Sequence, residues 1–132
     1  MRSLAVPAAL SPPAPWAGRI VTAIPVLFLT FDTVIKFLGL APVTESFTRL
    51  GYPTASATVI GSLELVCLAL YLIPRTARVG VVLLTGFLGG AVASHVRVGD
   101  PLLTHVLFPT YVAALLWAGL AMRDVRLRAF LR

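Results

Sequence analysis

The chain has 132 residues, of which 58% are hydrophobic and 12% charged, and its net charge is +6. Soluble domains are about 45–50% apolar and about 25% charged, so this composition, with a mean hydropathy of +0.94, excludes an ordinary soluble domain and points to an integral membrane protein. The positive charges sit at the ends of apolar runs, where membrane topology places them, so no nucleic-acid partner is expected.

Residues 1–15 contain Pro7, Pro12, Pro13 and Pro15, too many for a stable helix. The short apolar start is broken by Pro7 and lacks a clear Ala-x-Ala cleavage site, so a disordered cytoplasmic tail is expected. The first span is expected over Trp16–Leu38, with Trp16 and Arg19 at the headgroup boundary and a proline, Pro25, inside. In the connection that follows, Val43, Phe47 and Leu50 recur at helical spacing between polar residues. That pattern predicts a short amphipathic helix lying at the membrane interface, ended by Gly51 and Pro53.

Further spans are expected over Ala55–Ile73, Arg78–Val96 and Leu102–Met122, each close to the roughly 20 residues that cross a bilayer. The expected fold is therefore all-α: an integral membrane four-helix up-down bundle occupying residues 16–122 as one domain. Residues 123–132 form a basic tail. Arg2, Arg19, Arg75, Arg78, Arg123, Arg126, Arg128 and Arg132 fall on one side, and only Lys36, Arg49 and Arg97 on the other. The positive-inside rule then places both termini in the cytoplasm. Gly86, Gly90 and Ser94 repeat every fourth residue, a stripe expected to pack helix against helix inside the bundle.

Ionisable residues inside these spans carry the functional signal, because a charge at the bilayer centre costs about 2.5–3.5 kcal/mol on insertion scales. At about 1.5 Å per residue, Lys36 lies about 3 Å from the outer end of its span, Asp32 about 9 Å and Glu64 about 13 Å. Asp32 and Lys36 are four apart and can pair on one helix face. Glu64 is too deep to reach the interface, so it must be protonated or paired with Lys36, His95 or Arg97. His95 and His105 flank the outer turn, where a histidine beside carboxylates can exchange protons. Asp32, Lys36, Glu64, His95, Arg97 and His105 are thus the candidate ligand-binding or proton-handling residues, gathered in the outer half of the bundle. No tight HxxxH or ExxH spacing supports a metal site. Phe31, Phe37, Tyr52, Phe87, Phe108 and Tyr111 lie near the same depth and could line a cavity for a flat hydrophobic ligand such as a quinone.

The single cysteine, Cys67, excludes an internal dithiol. Phosphate loops, GxSxG, HExxH and CxxCH are absent from the sequence, which leaves ATP hydrolysis and nucleophilic hydrolysis unsupported. No built-in cofactor is evident, and a quinone is the cofactor class that the cavity would take.

Lys36, GYP at 51–53, IGSLEL at 60–65, LIPRTARVG at 72–80, GGAVASHVRVGDP at 89–101 and RDVRLR at 123–128 stand in an order that resembles the DoxX-like family of small bacterial membrane proteins. The resemblance spans roughly residues 16–129. It implies a four-helix membrane bundle in the bacterial cytoplasmic (inner) membrane, and Lys36, Glu64, His95 and Arg97 match the polar positions of the family pattern. The family takes its name from a subunit associated with thiosulfate:quinone oxidoreduction, and some relatives are linked to thiol-redox stress.

The expected function is an accessory protein of redox or stress physiology that binds a quinone or lipid in an outward-facing polar pocket. A membrane oxidoreductase subunit using the same residues for proton transfer is the catalytic alternative. A purely structural polar cluster in an assembly subunit is the third. Ion passage is disfavoured, because the inner half of the spans lacks polar stepping stones. The expected partners are the lipid bilayer, a small hydrophobic ligand, and a second copy of the chain or a redox complex.

Overall fold

The computed structural model describes residues 15–131, all of them in helices, turns and short connections. The expected disordered tail lies outside the described residues, except for Pro15. That proline opens helix α1, Pro15–Leu38, at the position where its missing N–H is costless and its fixed φ is already helical. The helix continues through Pro25. Its buried residues, Gly18, Thr22, Pro25, Leu29, Thr33 and Lys36, recur every three or four positions and define one face. Ile20, Ile24, Leu27, Phe31 and Val34 are exposed on the other faces. A helix that stays apolar on its outward side suits a hydrocarbon solvent rather than water.

Helix α2, Ala41–Arg49, follows Gly39, whose φ of 61° turns the chain out of α1. Val43 and Phe47 are buried with Ala57, against Ile35 and Ile60. The amphipathic helix therefore forms where the spacing predicts, but its apolar side faces the ends of its neighbours rather than lipid. The reason is reach: the short connections on either side of α2 hold it over α1 and over α3, Ser56–Leu72. Helix α4 spans Ala77–Arg97 and α5 spans Phe108–Arg123. Between them, Leu102–Val106 makes a wide turn with Val106 N–H donating to Pro101 O (3.2 Å) and Leu107 N–H to Leu102 O (2.9 Å). These i→i−5 bonds precede Pro109, which has no N–H to continue a regular ladder. The single fourth helix expected from Leu102 is thus divided.

Helix α1 packs on α3 and α5, and α4 packs on the same two. Pro15–Leu38, Ala77–Arg97 and the Leu102–Arg123 stretch are long and apolar enough to cross a membrane, whereas Ser56–Leu72 has 17 residues. The core holds Leu29, Leu68, Val81, Leu84, Val112 and Leu116. Within it, the fully buried Tyr71 donates its hydroxyl to Leu116 O at 2.8 Å, tying α3 to α5. The helices come closest at glycines outside the predicted stripe. A Cβ on Gly80 would lie 2.2 Å from the Tyr71 nitrogen, and one on Gly119 2.4 Å from the Thr22 hydroxyl. At Gly86 and Gly90 an added Cβ would meet nothing within 4 Å. The Gly86–Gly90 stripe is open space, which overturns its reading as helix packing.

The basic tail begins with a short helix, α6, Val125–Phe130. Asp124 caps it, accepting from the backbone N–H of Arg126 (2.9 Å) and Leu127 (3.1 Å). The same carboxylate takes both arms of Arg78, at 2.7 and 3.1 Å, joining α4 to α6. Arg78 and these backbone donors hold the Asp124 carboxyl down from 3.8 to about 2. The stabilisation from this bridge is therefore complete above about pH 4 and fades as pH falls toward 2. Thermal unfolding of Asp124→Asn in detergent should lose that pH dependence while keeping the cap. Asp124→Ala should lower stability further, by about 1 kcal/mol for the lost cap.

Candidate functional site

Lys36 lies on the buried face of α1, one turn beyond Asp32. Its stem runs over Gly61 of α3, where an added Cβ would sit 3.2 Å from the Lys36 Cβ. The missing side chain lets α3 approach closely enough for Glu64, one turn further along, to meet the ammonium. Lys36 Nζ donates to Glu64 Oε2 at 2.6 Å and pairs with Asp32 Oδ2. Glu64 is completely buried, and its second oxygen, Oε1, has no hydrogen-bond partner among the described residues. Asp32 is about one-third exposed, with a side-chain value of 31%. The ammonium also lies 5.6 Å from the centre of the Phe87 ring of α4, a cation–π contact. One ammonium facing two carboxyls means that the cluster becomes neutral only with one additional proton.

Beside this cluster lies a cavity of about 540 Å³. Lys36 and Asp32 form one wall, Gly86, Phe87 and Gly90 the opposite one, and Val43 and Phe47 of α2 its cover. The open space over Gly86 and Gly90 is this cavity. Ser94, Tyr52 and His95 also line it. The Tyr52 hydroxyl and Ser94 Oγ are 2.7 Å apart, and Ser94 also donates to Gly90 O at 2.9 Å.

Two of the remaining predicted residues, His95 and Arg97, hold the cover. His95 Nδ1 lies 2.5 Å from Asp100 Oδ2, and Arg49 at the end of α2 pairs with Asp100 Oδ1. Bonding to His95, and then to Arg49, keeps the Asp100 carboxyl below the usual carboxylate range. Arg97 donates to Leu50 O just past α2, and its guanidinium lies 5.8 Å from the Tyr52 ring centre. His105 is exposed. Its ring is 5.9 Å from that of His95, and its Nδ1 is 2.9 Å from Thr104 Oγ1. The structure thus brings Asp32, Lys36 and Glu64 into one cluster. It puts His95 on the same cavity, sets Arg97 to fasten the α2 end, and leaves His105 exposed beside the His95 ring, outside the cavity lining.

Sequence reasoning did not single out Ser94, Asp100 or the two open glycines as site residues. For Asp100 a signal existed: a histidine five residues before an aspartate across a glycine turn. For Gly86 and Gly90 the same four-residue repeat describes a packing seam and a cavity floor equally well. Among the described residues, no group of three or more His, Cys, Asp or Glu is placed to hold a metal ion. Cys67 is half-buried against the apolar core.

Apolar helices with a buried acid–lysine cluster and a half-enclosed cavity define a class of small helical membrane protein. The DoxX-like family model matches residues 20–119, and the chain belongs to that family. No curated protein and no solved structure matches it.

Removing one partner from a buried ion pair costs about 3–5 kcal/mol, because a charge is left uncompensated. Lys36→Met alone should be destabilising on that scale. The double variant Lys36→Met/Glu64→Leu should recover a substantial part of the loss in denaturant unfolding. At the cover, Asp100→Asn should speed amide hydrogen exchange across Ala41–Arg49 and leave α4 and α5 unchanged.

Proposed function

We propose that this DoxX-like protein is a four-span protein of the bacterial cytoplasmic membrane, with both termini cytoplasmic. It binds a small hydrophobic ligand of the quinone or lipid class as an accessory to redox or stress physiology. One observation carries the reading: the cavity beside Lys36, kept open by Gly86 and Gly90 rather than filled by side chains. Ligand pockets occupy roughly 300–1,000 Å³ and combine apolar walls with a few placed polar groups. The cavity, at about 540 Å³, has that size and that make-up. Lys36 would present a donor to a ligand oxygen, with Tyr52 and Ser94 offering hydroxyls on the far side. Phe87 and Phe47 would contact a flat or acyl portion.

A catalytic reading is favoured by a different observation. The cluster of two carboxyls and one ammonium has an unpartnered oxygen on Glu64 and could take up or release a proton during the reduction of a bound acceptor. That reading makes the chain an oxidoreductase subunit whose electrons come from a partner.

Titration of the purified protein with a short-chain quinone analogue and with a short-chain phospholipid tests the binding reading. Saturable binding of one of them is expected, together with its loss in Gly90→Leu. That variant projects into the cavity from a position where an added Cβ meets nothing within 4 Å, so it should fold with a melting temperature close to the wild-type value. Absence of saturable binding to both probes would sink the proposal. Proton release on ligand binding, abolished in Glu64→Gln, would favour the catalytic version.

A further inference from the structure

We infer that a second cavity, at the arginine-rich end of the bundle, binds the phosphate of an anionic phospholipid headgroup. This cavity has a volume of about 320 Å³ and lies between the start of α4 and the α5–α6 junction. Arg78, Arg123 and Arg126 line it together with one acid, Asp124. Three guanidinium groups against one carboxylate leave an excess of two positive charges. The acid is already saturated: Arg78 and the Arg126 and Leu127 backbone N–H groups occupy both its oxygens. The Arg126 guanidinium makes no hydrogen bond among the described residues, and Arg123 uses only Nε, at 3.2 Å from Gly119 O. The Arg123 guanidinium also lies 5.4 Å from the Tyr71 ring centre, a contact that leaves its terminal nitrogens without a hydrogen bond. The terminal nitrogens of both arginines can therefore take phosphate oxygens in the bidentate geometry that guanidinium favours.

The surroundings select a lipid over free phosphate. Leu120, Pro74 and Val125 form an apolar part of the lining, which a bare ion would leave in contact with nothing. Val125 and Phe130 are 72% and 85% exposed on α6, next to the arginines. Apolar side chains beside cationic ones are the pattern of a segment seated at the headgroup boundary, where stems enter the acyl region and charges meet phosphate. The site lies at the ends of helices long and apolar enough to span, so the cavity falls at headgroup level. It is separate from the Lys36 cavity and requires only that the helices cross a bilayer.

Thermal unfolding of the full chain in neutral detergent tests the site. The probes are short-chain phosphatidylglycerol, short-chain phosphatidylcholine and inorganic phosphate. Phosphatidylglycerol should raise the melting temperature saturably, phosphatidylcholine should not, and inorganic phosphate should act only at much higher concentration. Arg126→Gln should weaken the phosphatidylglycerol effect roughly fivefold, and Arg123→Gln/Arg126→Gln on the order of twentyfold. Arg126 caps through its backbone N–H, so Arg126→Gln leaves the Asp124 bridge in place. Equal potency of inorganic phosphate and phosphatidylglycerol would make this a free-phosphate site and overturn the inference. Phosphatidylglycerol binding unchanged in folded Arg126→Gln would overturn it as well.

Discussion

The ion pair between Lys36 and Glu64 organises one half of this molecule. Two charges buried away from water each carry a desolvation cost of several kcal/mol, offset only by close geometry and further hydrogen bonds. The 2.6 Å contact, the second carboxylate of Asp32 and the Phe87 ring supply those partners. The contact also dictates how near α1 and α3 must lie, and Gly61 makes that distance attainable. Held by Glu64 and Asp32 together, the Lys36 ammonium is fixed at the wall of the cavity. Helix register and a chemical site therefore follow from the same interaction.

Elsewhere the helices are held by different means. Lipid tails are as apolar as leucine, so hydrophobic burial offers little drive for helices to associate inside a bilayer, and close backbone contact takes over. Gly80 and Gly119 provide it, with the Tyr71 hydroxyl as a polar tie across the core. Helix α4 divides its glycines between two uses. Gly80 brings its first half against α3, whereas Gly86 and Gly90 leave open space along one side of its second half. The cavity is the space between those two behaviours, and α2 covers it because Arg49, Asp100 and His95 fasten that helix to the α4 end.

Charge is arranged to different purposes at the two ends of the bundle. At the α2 end, the three carboxylates beside the cavity and at its cover's fastening are paired: Asp32 and Glu64 with Lys36, and Asp100 with Arg49 and His95. At the other end, one aspartate faces an excess of arginine, and cationic capacity is left over. The first arrangement closes a polar interior within an apolar helical body. The second presents charge outward, where phosphate is the natural counter-group of a membrane surface.

By itself, the sequence determined the helical class, the position of nearly every helix, the short helix after the first span and the family. It also marked Asp32 and Lys36 as able to pair on one helix face, and Glu64 as an acid that needed a proton or a cationic partner. All of these depend on hydropathy, punctuation by glycine and proline, and the cost of an isolated charge, which are properties of local composition. Tertiary structure alone decided that Lys36, rather than His95 or Arg97, meets Glu64, and that Gly61 makes the meeting possible. It also decided that Arg97 fastens the α2 end and that the Gly86–Gly90 stripe borders empty space. Those outcomes turn on which helix face lies opposite which, and a repeat every fourth residue reads the same whether a neighbouring helix fills the groove or stands away from it.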